Sequence, residues 1–333
     1  MSELHRFLFE GQPVRGAIVR LTEAWTEMLG RRKDNATSEQ YPESVTQLLG
    51  EMAAAGVLMQ SGIKFNGALV LQIFGDGPVK LAVAEVQSDL SLRATATLKG
   101  AVPANAGLGD LVNLQGGGRC AITLDPKDKF PGQQPYQGVV PLVDAQGRNL
   151  DRLSDVLSHY MLQSEQLDAT LVLAANDQVA AGLLVQRMPV KGEGNIAGGA
   201  ARRDKEHEED QIGRNEDYNR IATLAASLTR DELLTLDIET ILRRLFWEEQ
   251  LLRFEPQQGA EGPRFACTCS QERVGRMLHS LGAAEADSIL AEQGQIEVAC
   301  EYCGQQYRFD PVDAAQIFAA PSAAQVPAPR AVQ

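Results

Sequence analysis

Cys267-Thr268-Cys269 and, after an interval of thirty residues, Cys300-Glu301-Tyr302-Cys303 hold four of the five cysteines of the chain. A module of about 55 residues around them is too short to stand on an apolar core alone, and domains of that size draw on disulfides or a metal. Two close cysteine pairs flanking a folded insert match the tetrahedral, sulfur-rich coordination that zinc takes. A single residue separates the first two thiols, which is tighter than the C-x-x-C of most zinc ribbons. Ile296 and Val298 alternate before the second pair, Tyr307 and Phe309 alternate after it, and Gly304 supplies a tight turn, so this half reads as strand, ligand turn, strand. Three chemistries stay open for these thiols: an architectural Zn(Cys)4 site, a redox centre and an Fe–S centre. His279, in a helix-like part of the insert, reads as a helix-face residue, because four thiolates already complete a zinc shell. Cys120 lies in a strand-like run and reads as a small buried hydrophobe rather than a ligand.

Composition narrows the function classes. At 333 residues and 44% apolar content the chain has enough material for two domains or one large domain with an appendage. A formal net charge of -13 and a pI near 4.9 argue against nucleic acid as the main partner, since phosphate binding draws on clustered Lys and Arg. The start of the chain lacks a basic stretch leading into a long apolar run, and no segment reads as a membrane span, so a cytoplasmic protein with reduced thiols is expected.

Outward from the cysteines, the chain reads as α+β, with a mostly antiparallel sheet and helix core over residues 1–190. Phe7 and Phe9 alternate like a strand, and Ile18, Leu21, Trp25 and Met28 follow helical spacing over residues 17–29. Pro42 opens a helix with the stripe Val45, Leu48, Leu49 and Met52, ending at Gly56 or Gly62. Residues 68–74 and 79–86 flank the turn Gly75-Asp76-Gly77-Pro78 as a hairpin, and further strands are expected at 92–98, 120–124, 136–143, 170–173 and 182–186, with a helix over 150–167. The glycines at 107–109 and 116–118 match no phosphate-binding motif and read as loops. Residues 191–219 read as a flexible polar insert from their Gly, Ala and mixed-charge content. Residues 220–257 form a helical linker with the stripes Ile221, Leu224, Ala225, Leu228 and Ile238, Ile241, Leu242, Leu245, Phe246, divided by a capping box of Thr229 and Glu232. Those stripes are either packed permanently on the core or covered only while the cysteine module is folded. The module itself spans 258–312, and 313–333 reads as a disordered tail from its Pro and Ala content.

The order of these parts resembles the heat-shock protein 33 family of redox-regulated bacterial holdase chaperones. The resemblance is carried by Phe265-Ala266-Cys267-Thr268-Cys269-Ser270-Gln271-Glu272-Arg273, by Asp287-Ser288-Ile289-Leu290-Ala291-Glu292 and by Cys300-Glu301-Tyr302-Cys303-Gly304. Tyr136-Gln137-Gly138-Val139-Val140-Pro141-Leu142, Ser164-Glu165-Gln166-Leu167 and Glu232-Leu233-Leu234-Thr235-Leu236 extend it over nearly the whole chain. It implies that Cys267, Cys269, Cys300 and Cys303 ligate one Zn2+ in a reduced, inactive state. It also implies that oxidation pairs Cys267 with Cys269 and Cys300 with Cys303, releases the zinc, unfolds the switch and linker, and lets the chain bind unfolding client proteins without ATP, with homodimerisation on activation. Cys120 lies outside the family pattern, and the 191–219 insert looks longer than the family's equivalent. Two other readings compete: a zinc-ribbon interaction module that does not switch, and a thiol–disulfide oxidoreductase using Cys300 and Cys303. No Ser/His/Asp set, paired-carboxylate cleft or nucleotide motif points to conventional enzyme activity, and the four histidines are scattered.

Overall fold

The computed structural model describes residues 1–33, 40–130, 133–144, 146–188 and 215–319. Strands β1 (Glu3–Phe9) and β2 (Val14–Leu21) open the chain and lead into helix α1 (Glu23–Lys33). Residues 17–21, where apolar spacing predicts the start of a helix, are therefore strand. Both faces of β2 are covered: Ala17, Val19 and Leu21 enter one apolar cluster, Val14 and Ile18 another. A strand buried on both sides loses its polar alternation, and its period no longer separates it from a helix. Only the second half of the expected helix forms, with Trp25 and Met28 buried on α1.

β2 lies in a sheet of order β10-β1-β2-β9-β8, where β8 is Ala169–Ala175, β9 Ala180–Arg187 and β10 Leu251–Arg253; β11 (Gln257–Gln258) also pairs with β1. A second sheet runs β12-β5-β4-β3-β6-β7, with β3 Gly67–Phe74, β4 Val79–Gln87, β5 Ser91–Leu98, β6 Arg119–Pro126, β7 Tyr136–Pro141 and β12 Arg264–Phe265. β3 and β4 are the expected hairpin, in register from Ala68↔Gln87 to Phe74↔Leu81.

Helix α2 (Glu43–Ser61) separates the two sheets and is buried nearly all round. Two of its glycines explain how close the layers come. A Cβ on Gly50 would lie 2.4 Å from Ala175 of the first sheet, and one on Gly56 would lie 2.8 Å from Val86 of the second. Gly56 thus sits inside the helix as a packing surface, and the helix ends at Gly62. The glycine-rich segment contains one short helix, α3 (Leu108–Val112), and α4 (Leu153–Glu165) adds Leu153, Val156, Leu157 and Tyr160 to the same core.

The outer face of the first sheet is covered by α5 (Glu216–Ala226), α6 (Arg230–Thr235) and α7 (Ile238–Phe246). Each has an N-terminal side-chain cap: Asn215 accepts from the Tyr218 N–H, Thr229 and Glu232 form the capping box, and Asp237 accepts from the Thr240 N–H. The Asn215 cap starts α5 at Glu216, inside the segment expected to be a polar insert to 219; residues 191–214 lie outside the described residues. Ile221, Leu233, Ile241, Leu242 and Phe246 pack on Phe7, Phe9, Val14, Ile18 and Leu183. Phe246 meets Phe9 edge-on at 5.0 Å between centroids. Arg20 of β2 reaches the end of α6, where its Nη1 donates to the carbonyls of Leu233 and Leu236, both at 3.0 Å, and its Nη2 to that of Leu234 at 2.7 Å. Carbonyls in the last turn of a helix have no partner within it, and a cation there also complements the helix dipole. Arg230, at the other end of α6, donates to the Ala175 carbonyl and lies 3.5 Å from Glu51 of α2.

Burial pushes the Glu51 carboxyl up to about 7, against opposing hydrogen bonds and charge from Gln47 and Arg230. A carboxyl raised in the folded state contributes stability that is complete below its unfolded pKa and lost as pH rises through about 7. The resulting cost at pH 8 is about 3 kcal/mol. Glu51→Gln is therefore expected to unfold at higher temperature than the parent at pH 8, with the gap closing as pH falls below 5. Circular-dichroism melts of both proteins check this, and a gap independent of pH would rule it out.

Met1–Gly30 and Gln40–Ala266 together form one compact unit, and the chain from Cys267 belongs to a second. The boundary lies later than the expected 257/258, because β11 and β12 pair with β1 and β5 and so keep residues up to 266 with the first unit.

Candidate metal centre

The second unit contains α8 (Gln271–Leu281), α9 (Ala283–Gln293), the hairpin of β13 (Ile296–Ala299) and β14 (Gln306–Phe309), and α10 (Pro311–Ala319). Its apolar core is small: Leu278, Ala286, Ile296 and Phe309 are buried, with Val274, Ile289, Tyr307 and Ile317 among the side chains packed around them. α10 occupies the start of the stretch expected to be a disordered tail. Ala314 is buried and Ile317 and Phe318 pack on this core, apolar anchors that the Pro and Ala content around them masks; residues 320–333 lie outside the described residues.

Each half of the cysteine pattern is fixed locally. Ser270 caps α8 by accepting from the Arg273 N–H at 3.2 Å, and Arg273 Nη1 donates back to the carbonyl and hydroxyl of Thr268 at 2.9 and 2.6 Å. These contacts clamp the residue between Cys267 and Cys269. In the other half, β13 and β14 pair from Ile296↔Phe309 to Ala299↔Gln306, and Cys300 and Cys303 occupy the turn between them. The Gly304 N–H bonds the Cys300 carbonyl at 2.8 Å, and Gly304 has φ 70, a conformation that costs glycine little.

The four Sγ atoms lie within 4.8 Å of one another. Cys267 and Cys300 are 3.7 Å apart and Cys269 and Cys303 3.4 Å. Ligands about 2.3 Å from a tetrahedral zinc stand roughly 3.8 Å from each other, so the donor set and its spacing fit that ion. None of the four is joined in a disulfide. Two of the thiols resist ionisation: the hydrogen bond with Cys267, followed by burial, drives the Cys300 thiol well above its ordinary value, and burial first of all raises Cys303 to about 11. A divalent cation at their centre reverses that preference by stabilising all four thiolates.

The structure thus brings together the four cysteines singled out in the sequence. It keeps the other candidates apart from them. Cys120 is fully buried in β6 and its thiol is pushed up to about 12 by burial, as suits a small apolar side chain. His279 stacks on Phe318 with ring centroids 5.6 Å apart. Sequence reasoning places Tyr307 on a strand but misses its hydroxyl, which donates to Cys269 Sγ at 3.0 Å. The available signal is a hydroxyl-bearing residue on the inward, alternating face of the strand that follows the second ligand pair.

A family model described as Hsp33 protein matches residues 2–310 of the chain. The 33 kDa chaperonin of Chromobacterium violaceum is 44% identical over 321 residues, which cover 95% of this chain and 94% of that one. That of Methylobacillus flagellatus is 40% identical over 318 residues, covering 95% and 94%. The crystal structure of the 33 kDa chaperonin from Thermotoga maritima shares the fold with a TM-score of 0.70 at 21% identity, over 95% of this chain and 98% of that one.

Proposed function

The chain belongs to the Hsp33 family, and on that premise we propose that it is an ATP-independent holdase chaperone switched on by oxidation of Cys267, Cys269, Cys300 and Cys303. A chaperone role follows from the family. The switch rests on one observation: four cysteine sulfurs, none in a disulfide, gathered within 4.8 Å in a unit with a core of very few buried side chains. Zinc, when bound there, holds the sulfurs as thiolates and contributes on the order of 10–16 kcal/mol to folding, as much as the stability of a whole domain.

Oxidation removes the ligands. Two thiolates and two protons react with one peroxide to give one disulfide and two waters, so two peroxides convert all four sulfurs. The pairing in this reading is Cys267 with Cys269 and Cys300 with Cys303, each within a few residues in the chain. A unit with four disulfide sulfurs has no ligands left, and its small core does not hold it folded. α5, α6 and α7 run into Cys267 through β10, β11 and β12, so unfolding beyond Ala266 reaches the linker along the chain. Release of the linker uncovers the face of Phe7, Phe9, Val14 and Ile18 together with its own apolar stripe. A contiguous apolar patch of this kind binds unfolding proteins without nucleotide. Homodimerisation of the activated chain is part of the same reading. Among the described residues no helix is long and apolar enough to cross a membrane.

The oxidoreductase alternative expects a C-x-x-C that follows a strand and opens a helix, whereas Cys300 and Cys303 lie between two antiparallel strands. The decisive measurement is light scattering from a heat-denatured client, with the protein either reduced and zinc-loaded or treated with peroxide at mildly raised temperature. Only the oxidised form is expected to suppress scattering, with one zinc released per chain and reductant plus zinc reversing the effect. Peptide mapping is expected to find the two local disulfides. Cross-linked pairs Cys267 with Cys300 and Cys269 with Cys303, whose sulfurs are also close, would refute the pairing. Zinc retained under oxidation, with both forms equally active or inactive, would leave an architectural zinc module.

A further inference from the structure

The hydroxyl of Tyr307 connects the two halves of the cysteine cluster. Tyr307 lies on β14 opposite Val298 of β13, so its position is set by the hairpin that carries Cys300 and Cys303. Its hydroxyl nevertheless bonds Cys269, in the other half of the pattern, at 3.0 Å. We propose that Tyr307 is a positioning residue that restrains Cys269 and slows its oxidation, and so sets how much oxidant the cluster withstands before it switches. The proposal rests on the redox reading above and adds a residue that the four-cysteine pattern does not contain.

The physical argument has two parts. A thiolate that accepts an O–H bond shares its lone pair with the donor, and that same lone pair attacks the peroxide oxygen. The donor therefore lowers nucleophilicity while leaving the sulfur able to hold a metal. The bond also fixes the direction of the sulfur, as partners of metal ligands do generally, and losing such a partner typically weakens metal binding 10- to 100-fold. Both effects act in one direction, since a chain lacking the hydroxyl has a more reactive Cys269 that is less well held. The step itself balances as before: Cys269 sulfur displaces water from a protonated peroxide oxygen to give a sulfenic acid, and a second cysteine thiol displaces a second water to close the disulfide.

The test uses the full chain loaded with Zn2+, and in parallel with Co2+ as a spectroscopic probe. Tyr307→Phe is expected to release zinc to a chromophoric indicator ~3- to 10-fold faster under peroxide. In the cobalt protein it is expected to shift the sulfur-to-cobalt charge-transfer band while keeping tetrahedral d–d bands, which show that the site has assembled. Val298→Ala, which weakens the same hairpin and keeps the hydroxyl, is expected to leave that band in place. If Tyr307→Phe does not assemble, Tyr307→3-fluorotyrosine is read instead: the stronger donor is expected to slow release. Release from Tyr307→Phe at the parent rate or slower, or an unchanged rate for the fluorinated protein, overturns the proposal. Failure of the redox reading is distinct, because the parent protein then keeps its zinc under peroxide, and this proposal falls with it.

Discussion

Cys300→Ser is expected to leave the unit from Cys267 onward unfolded while the rest of the chain stays native. In hydrogen–deuterium exchange of the full-length protein, amides of α8, α9, β13 and β14 should exchange within seconds, whereas those of α2 remain protected. The magnitudes leave little room for another outcome. The buried side chains of this unit, Leu278, Ala286, Ile296, Phe309 and Ala314, contribute at most a few kcal/mol each. Ordering its backbone costs about 1–2 kcal/mol per residue, which a metal contribution on the order of 10–16 kcal/mol helps to offset. A chelator should reproduce the effect in the parent protein. Cys120→Ala is the control: that thiol is buried in β6 among Ile73, Ile122 and their neighbours, and its loss should leave protection of the cysteine unit unchanged. Protection of α8 and β13 surviving in Cys300→Ser would mean that the unit folds without its four ligands, and the unfolding switch would be lost with it.

Phe246→Ala is expected to produce a chain that suppresses client aggregation while fully reduced and zinc-loaded. Phe246 is 2% exposed and packs edge-on against Phe9, with Phe7 beyond it. Truncating a buried phenylalanine typically costs about 3–5 kcal/mol, and here the cost falls on a docked helix of nine residues rather than on a whole domain. The linker is then released in a fraction of molecules large enough to bind client and hydrophobic dye. The adjacent Trp247 is 73% exposed, so Trp247→Ala should leave the reduced protein inactive. Equal light-scattering traces for the two variants under reducing conditions would show that docking of α7 does not control client binding.

Much of this arrangement is legible in the sequence because it rests on local signals. The turn Gly75-Asp76-Gly77-Pro78 and the alternation on either side specify the β3–β4 hairpin, and Thr229 with Glu232 marks the start of α6 through a cap that involves only neighbouring residues. The cysteine spacing likewise carries the donor set of the candidate metal centre. The failures have the opposite character. Strand β2 reads as helix because its two faces meet two different cores, a fact set by α2 on one side and by α5 to α7, far along the chain, on the other. Tyr307 and Cys269 lie 38 residues apart, and no period or motif joins them. Arg20 and the end of α6 are separated even further. Contacts of that kind are set by how the layers pack, and nothing about either residue alone announces its partner.

The grip of Arg20 on α6 has a consequence for what substitution can change. Its three acceptors are main-chain oxygens of Leu233, Leu234 and Leu236, not side chains. Any residue that preserves the backbone path at those positions presents the same oxygens, so the contact is blind to the identity of the segment it holds. Side chains there are left to vary with the demands of packing on the sheet. The whole informational burden of the contact falls instead on position 20, where lysine lacks the planar fork that reaches three acceptors at once. In mutational terms the hold is robust on the linker and brittle on the core.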